Sequence, residues 1–293
     1  MTSETNAPRG PAFLLHHRIV ESASGPRPRR LAFVLHGVLG AGQNFSRFIA
    51  KLCERRPDFR YVLLDLRHHG QSAGAPPPNT IAACAADLSN LALQLGQNPE
   101  LLIGHSFGGK VAIEYARQLA TPPQENQLRQ VWVLDAVPGP LSGGQSEIEN
   151  VIRAVRAVPV PAQSRRDVVT HLMSESGLSS GLAEWMATNL KRQGDSYVWT
   201  FNLAAIEELL ADYFRVDLWA FLAEPRSAPE FELVVAEQSD RWTPELRERA
   251  RSLPASARVR YHALANSGHW VHVDNPAGLL AMMQEFMLRE EVI

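Results

Sequence analysis

Through the first half of this 293-residue chain, short apolar runs alternate with longer segments of helical periodicity, and no other feature narrows the fold as far. FLLHHRIV (13–20), RLAFVLH (30–36), RYVLLDL (60–66), ELLIG (100–104) and QVWVLDA (130–136) have the length and near-continuous apolar character of buried strands. Between them, NFSRFIAKLCERR, TIAACAADLSNLALQL and SFGGKVAIEYARQLA have the spacing of helices of ordinary length. Such alternation implies crossover connections, and these give an α/β fold with a doubly wound, mostly parallel sheet covered on both faces.

From Pro138 to Pro229 the alternation stops. EIENVIRAVRAV, RDVVTHLM, GLAEWMATNL and LAAIEELLADYF follow one another as helical pieces parted by Pro, Gly and Ser, with no convincing strand. The α/β pattern then resumes with EFELVVAE (230–237), a short helix from Thr243, RVRYHAL (258–264) and a C-terminal helix from Pro276. The expected organisation is a core in two parts, 1–137 and 230–293, with a helical cap of residues 138–229 grown from one loop.

Charge and cysteine content exclude several function classes. With 29 Lys+Arg against 31 Asp+Glu the formal charge is −2, so there is no basic surplus to draw the chain to nucleic acid. Cys53 and Cys84 both lie in helical text and read as reduced core residues, not as a disulfide or a zinc site. The start, MTSETNAPRGPAF, lacks the basic opening and unbroken apolar run of a secretory signal, and nothing approaches the roughly 20 apolar residues of a membrane span. A cytoplasmic protein is the expectation, organellar targeting requiring a longer precursor. The Pro-rich GAPPPN and PRPRR stretches read as surface turns.

The sharpest chemical signal is Gly104-His105-Ser106-Phe107-Gly108, placed where the strand ELLI ends and the helix GKVAIEYARQLA begins. Small residues two before and two after the serine permit a sharp strand-to-helix turn that lifts the hydroxyl above the sheet edge. The helix N-terminus behind it offers N–H groups and partial positive charge to a developing oxyanion. Ser106 is therefore a candidate nucleophile, to be weighed against an inert serine in a glycine-rich helix cap.

A serine at its ordinary pKa is a weak nucleophile, so it needs a base and an orienting acid. His269, in Asn266-Ser267-Gly268-His269-Trp270 after the last strand, is the candidate base. His262 falls within a strand pattern and reads as packed, and His272 is expected to point elsewhere. Two acids fit the order Ser, acid, His: Asp135, ending the apolar VWVLD, and Asp240, just past the next strand, where position alone favours the acid. The bland alternatives are an N-cap or turn carboxylate for Asp240, with Thr243-Pro244 ahead, and a carboxylate bonded to local amides for Asp135. In the loop His36-Gly37-Val38-Leu39-Gly40, the Val38 N–H would join that of Phe107 in an oxyanion hole. His36, Gly37, His105 and Trp270 flank these groups and are expected beside the substrate, His36 chiefly as a brace of its loop. The run Asp65-Leu66-Arg67-His68-His69 has no ligand spacing for a metal, and none is expected.

Together LHGVLGAGQNFSRF, LLDLRHHGQS, IGHSFGGKVAIEYA, VLDAVPG and SGHWVHVDNP resemble the α/β-hydrolase superfamily over nearly the whole chain. More narrowly they resemble its subgroup of small bacterial acyl esterases and mitochondrial and plant abhydrolase-domain proteins. The resemblance implies a helical cap inserted after the sixth strand, hydrolysis of carboxylic esters or thioesters, and no cofactor. Of Trp185, Trp199, Phe201, Tyr213, Phe214, Trp219 and Phe221 in the insertion, more are expected in its core than in a pocket, yet some must line the side facing Ser106 if the cap closes over it, so a small to medium apolar acyl group is the expected substrate. In that subgroup the position matching Asp240 often lacks a carboxylate and the aspartate of the VLDAVPG segment is available to serve. This chain has both; Asp135 is preferred as the acid and Asp240 kept as its alternative. Competing readings are a C–C bond hydrolase or menaquinone-pathway-type enzyme, with Arg153, Arg156, Arg165, Arg166, Lys191 or Arg192 binding a dicarboxylate, and a receptor that kept the fold but lost turnover.

Overall fold

A computed structural model describes residues 13–23, 28–120, 128–141 and 147–289. The N-terminal stretch judged against a secretory signal lies outside the described residues up to position 12, as do positions 26 and 27 of PRPRR.

The core strands are β1 (His17–Val20), β2 (Arg30–Leu35), β3 (Phe59–Leu64), β4 (Leu101–His105), β5 (Gln130–Leu134), β8 (Glu230–Ala236) and β9 (Val259–Leu264), with β6 (Leu190–Gln193) and β7 (Ser196–Trp199) paired separately. The seven form one sheet in the order β1-β3-β2-β4-β5-β8-β9. Every neighbouring pair is parallel except β1 and β3, so the sheet is mostly parallel with one antiparallel edge strand. The helices are α1 (Ser46–Arg55), α2 (Ile81–Leu95), α3 (Phe107–Leu119), α4 (Glu147–Ala157), α5 (Arg165–Ser174), α6 (Ser180–Ala187), α7 (Leu203–Arg215), α8 (Trp219–Ala223), α9 (Pro244–Arg251), α10 (Val271–Asp274) and α11 (Pro276–Phe286).

Strand alternation divides the core between the two faces of the sheet. Leu31, Phe33 and Leu35 of β2 pack with Leu88 and Leu91 of α2 and Val111 and Tyr115 of α3. The intervening Ala32 and Val34 pack on the other face with Ile49 and Leu52 of α1 and Leu279 and Met283 of α11. Both faces are apolar because both carry helices, which explains why these strands read as unbroken hydrophobic runs. Ile206, Leu209 and Leu222 of the segment between β5 and β8 join the first of these clusters. Among the described residues no helix is long and apolar enough to cross a membrane.

Two expectations for that segment need correction. It leaves the sheet after the fifth strand of the described chain and not after a sixth, because β1 alone precedes β2. It also contains strands: β6 and β7 pair antiparallel from Leu190↔Trp199 to Gln193↔Ser196. Three of the four β6 residues are exposed and Gly194 turns the chain at φ +61, so KRQGDS reads as a polar break between helices and not as a hairpin.

Candidate active site

Ser106 sits between β4 and α3 at φ 52, ψ −116, a conformation L-residues adopt only when the surroundings impose it. Those surroundings are backbone. A Cβ on Gly104 would lie 2.3 Å from the Gly108 carbonyl oxygen, and one on Gly108 would lie 2.6 Å from the His36 oxygen. Only glycine lets the strand, the turn and the loop after β2 approach this closely. The Ser106 N–H donates to Leu134 O at 2.9 Å, fixing the turn to the end of β5. Phe107 is the first residue of α3, where a helix has no carbonyl for the N–H.

The loop after β2 lies against this elbow. Gly40 N–H donates to Gly37 O at 3.0 Å, closing a turn with Leu39 at φ 60, and Val38 lies inside it. A side chain at Gly37 would meet His105 Nδ1 at 3.0 Å and Ser106 Cβ at 3.4 Å. His36 is buried, its Nδ1 donating to Gly37 O at 2.7 Å and its Nε2 accepting from Leu66 N–H at 3.0 Å. Both ring nitrogens brace the loop and His36 is not on the cavity wall, so its expected place beside the substrate is corrected to one behind the loop.

His269 and Asp135 meet across the ends of β9 and β5, with Nδ1 2.7 Å from Asp135 Oδ2. Asp135 is buried, and its carboxylate also accepts from Ala236 N–H at 3.0 Å and from Ser239 Oγ at 2.8 Å. Burial pushes the Asp135 carboxyl up to about 6, against the opposing pull of the Ser239 and Ala236 donors. Burial also holds His269 well below the usual histidine range, with Arg241 and His272 acting in the same direction. A neutral imidazole beside a carboxylate is the state in which Nε2 can accept a proton. His105 Nε2 donates to His269 O at 2.8 Å and its ring lies 4.6 Å from that of His269, so the residue before the serine holds the histidine loop.

Ser106, His269, Gly37, Val38, Phe107, His105 and Trp270 line one cavity of about 480 Å³. Its remaining wall is mostly apolar, with Leu141, Val151, Leu182, Leu210 and Leu246 prominent. Asp240 also lines it but is exposed, and the bond to the His269 ring comes from Asp135. Of the aromatic residues in the insertion, Trp185, Tyr213 and Phe214 reach the cavity, while Trp219 and Phe221 are buried in the core and Trp199 stacks on Phe201 at 5.1 Å.

His262, His272, His68 and His69 are spent on structure. His262 bonds Glu232 Oε2 at 2.6 Å, His272 stacks on Phe45 at 4.0 Å, and His68 and His69 turn to Asn79 Oδ1 and Arg67 O respectively. Arg153, Arg156, Arg165, Arg166, Lys191 and Arg192 are all exposed and off the cavity wall. The cation that does line it, Arg241, follows β8 and was not singled out from the sequence. Ser239 was missed as well; a buried carboxylate at Asp135 requires donors, and a hydroxyl just past the neighbouring strand was the available signal.

The sequence profile described as "Alpha/beta hydrolase family" matches residues 32–282. The chain is 29% identical over 257 residues to the mouse sn-1-specific diacylglycerol lipase ABHD11, covering 86% of this chain and 79% of that one. It is 22% identical over 260 residues to the Escherichia coli esterase YbfF, covering 87% and 91% respectively. The solved structure of a marine microorganism esterase superposes with a TM-score of 0.78 at 21% identity, over 94% of this chain and all of the other.

Proposed function

The chain belongs to the alpha/beta hydrolase family, and from that premise we propose that it cleaves carboxylic esters by acyl transfer to Ser106, with His269 as base, Asp135 as the orienting acid, and the Val38 and Phe107 amides as oxyanion donors. The observation that carries the reading is the 2.7 Å bond to a buried Asp135 from His269, which lines the same cavity as the strained Ser106. The esterase and lipase activities named for the relatives point the same way.

In the first half-reaction His269 Nε2 takes the Ser106 hydroxyl proton as Oγ bonds to the substrate carbonyl carbon. The carbonyl electron pair moves to oxygen, where preorganised N–H groups hold the charge. Collapse expels the alcohol, which receives the proton from His269. Water then repeats the sequence on the acyl-enzyme and releases the acid. Asp135 stays ionised throughout, because the Ser239 and Ala236 donors and the forming imidazolium all favour its charge.

The apolar wall fits a small to medium acyl chain, with residues 138–229 acting as a cap that closes over it. The C–C hydrolase reading loses its proposed dicarboxylate site, since the cap arginines it needs lie away from the cavity. Hydrolysis of p-nitrophenyl esters of graded chain length, with Ser106→Ala as control, tests the proposal. Turnover abolished by Ser106→Ala supports it; turnover that survives, or ligand binding without turnover, overturns it.

A further inference from the structure

Lys110, one turn into α3 from Ser106, is fully buried. Its Nζ donates to Gly139 O at 2.7 Å, Tyr213 O at 2.6 Å and Val216 O at 3.2 Å, using all three ammonium protons on backbone carbonyls. Gly139 follows β5, where the insertion leaves the sheet, and Tyr213 and Val216 mark the end of α7, near its return. The carbonyls at a helix C-terminus are a favourable place for a cation. Burial pushes Lys110 down to about 8 against the pull of Asp217 and Asp212, so the ammonium persists at neutral pH. An ordinary core position does not carry a lysine; this one ties both ends of the insertion to the nucleophile helix.

The residue it holds is Tyr213. The Lys110 Nζ lies 4.4 Å from the Tyr213 ring centroid, and that ring also packs on Phe107 at 5.7 Å. Tyr213 is 4% exposed and lines the same cavity as Ser106. The phenol thus enters beside Phe107, the residue assigned as an oxyanion donor, while His269 stands over Asp135. Burial pushes the Tyr213 phenol up, so it keeps its proton and can donate a hydrogen bond.

We propose that Tyr213 is a further catalytic residue, whose hydroxyl donates to the oxyanion of the tetrahedral intermediate as a third donor supplied by the insertion, and that Lys110 is the positioning residue that sets it there. No proton leaves Tyr213 in the step; its hydroxyl donates to the oxyanion as charge develops. A buried hydroxyl aimed at that charge strengthens in the transition state more than in the ground state, and so affects kcat more than KM.

The inference rests on the acyl-enzyme reading, so Ser106→Ala is measured alongside. If Ser106→Ala still turns over, that reading fails and Tyr213 is not at issue. If it abolishes turnover, Tyr213→Phe is expected to lower kcat on p-nitrophenyl butyrate by about 10²-fold, as loss of one oxyanion donor does, with KM changed less than about twofold. The same variant should weaken inhibition by a boronic acid, which forms a charged tetrahedral adduct on serine, by a comparable factor. Unchanged kcat and boronate affinity would overturn the assignment. Lys110→Met, checked for folding by its melting temperature, should lower kcat in the wild-type background and have little further effect on Tyr213→Phe. Equal losses in both backgrounds would remove Lys110 from the proposal and leave it a structural residue.

Discussion

His269 Nδ1 lies 2.7 Å from Asp135 Oδ2, a bond that joins the loop after β9 to the end of β5 across 134 positions of sequence. It gives the two candidate acids different environments. Asp135 is buried and shared among three donors, whereas Asp240 is exposed at the cavity wall. Asp135→Asn should therefore lower kcat by about 10⁴-fold, by removing the group that fixes the imidazole tautomer, and Asp240→Asn by far less. Steady-state kinetics on one p-nitrophenyl ester decides between them, and two silent substitutions would remove the triad from the mechanism.

The same pair sets the acid limb of the pH profile. Above its titration the Asp135 carboxylate is charged and His269 is neutral, so the base is available; a proton added to the pair removes it. With burial raising Asp135 to about 6 and holding His269 well below its usual range, kcat/KM should be flat at neutral pH and fall at or below about pH 6. The Ser239 hydroxyl favours the charged carboxylate. Ser239→Ala should therefore raise the proton affinity of the pair and move the limb to higher pH. A profile that stays in place or moves to lower pH contradicts the assigned role.

The sheet was legible because each parallel strand, covered on both faces, leaves a continuous apolar run between helices, and Ser106 because its glycines are demanded by backbone approaches of 2.3 and 2.6 Å. Chain order did not separate the acids, since Asp135 and Asp240 both follow strands and the preference for Asp135 came from the resemblance; only packing tells that Ser239 and Ala236 converge on Asp135. The β6–β7 hairpin was hidden by its exposure, since a strand pair with few buried residues leaves no alternation to read. Lys110 was hidden for a related reason. Its partners are backbone carbonyls and a ring brought in by the insertion, and neither leaves a pattern in one dimension.

Gly104→Ala and Gly108→Ala test the elbow directly. The new methyl would meet backbone atoms in both cases, and backbone cannot rotate away as a side chain can. Each should cost about 1–3 kcal/mol, toward the upper end of what overpacking causes, and should lower fluorophosphonate labelling of Ser106 as the turn relaxes. Urea midpoints and labelling rates provide the check. A variant as stable and as reactive as the parent would show that the turn tolerates a Cβ.

Arg67 and Asp87 form a buried two-bond pair at 2.7 and 2.9 Å, and Arg67 also donates to Pro76 O and Pro78 O, pinning the loop before α2. Asp87→Ala leaves the guanidinium buried without its counter-charge and should cost about 3–5 kcal/mol in chemical denaturation. Replacing both partners with apolar residues of similar volume should cost less, because no charge is left stranded. If the double replacement is as damaging as Asp87→Ala, the proline carbonyls and not the ion pair are what the site depends on.

Trp185 sets the last expectation, because it reaches the cavity from α6 and meets Trp270, beside the candidate base, edge to face at 4.9 Å. An indole there limits how far an acyl chain can extend from Ser106. Trp185→Ala removes that limit without touching the proposed nucleophile, base or acid. The ratio of kcat/KM for an octanoyl over a butanoyl p-nitrophenyl ester should rise by about tenfold or more, since each accommodated methylene is worth about 1–3 kcal/mol in an apolar pocket. Trp199 belongs to the same insertion but is off the cavity wall and stacked on Phe201, so Trp199→Ala should leave the ratio unchanged. A rise in both variants would point to general loosening of the insertion, and a rise in neither would place the chain-length limit elsewhere on the wall.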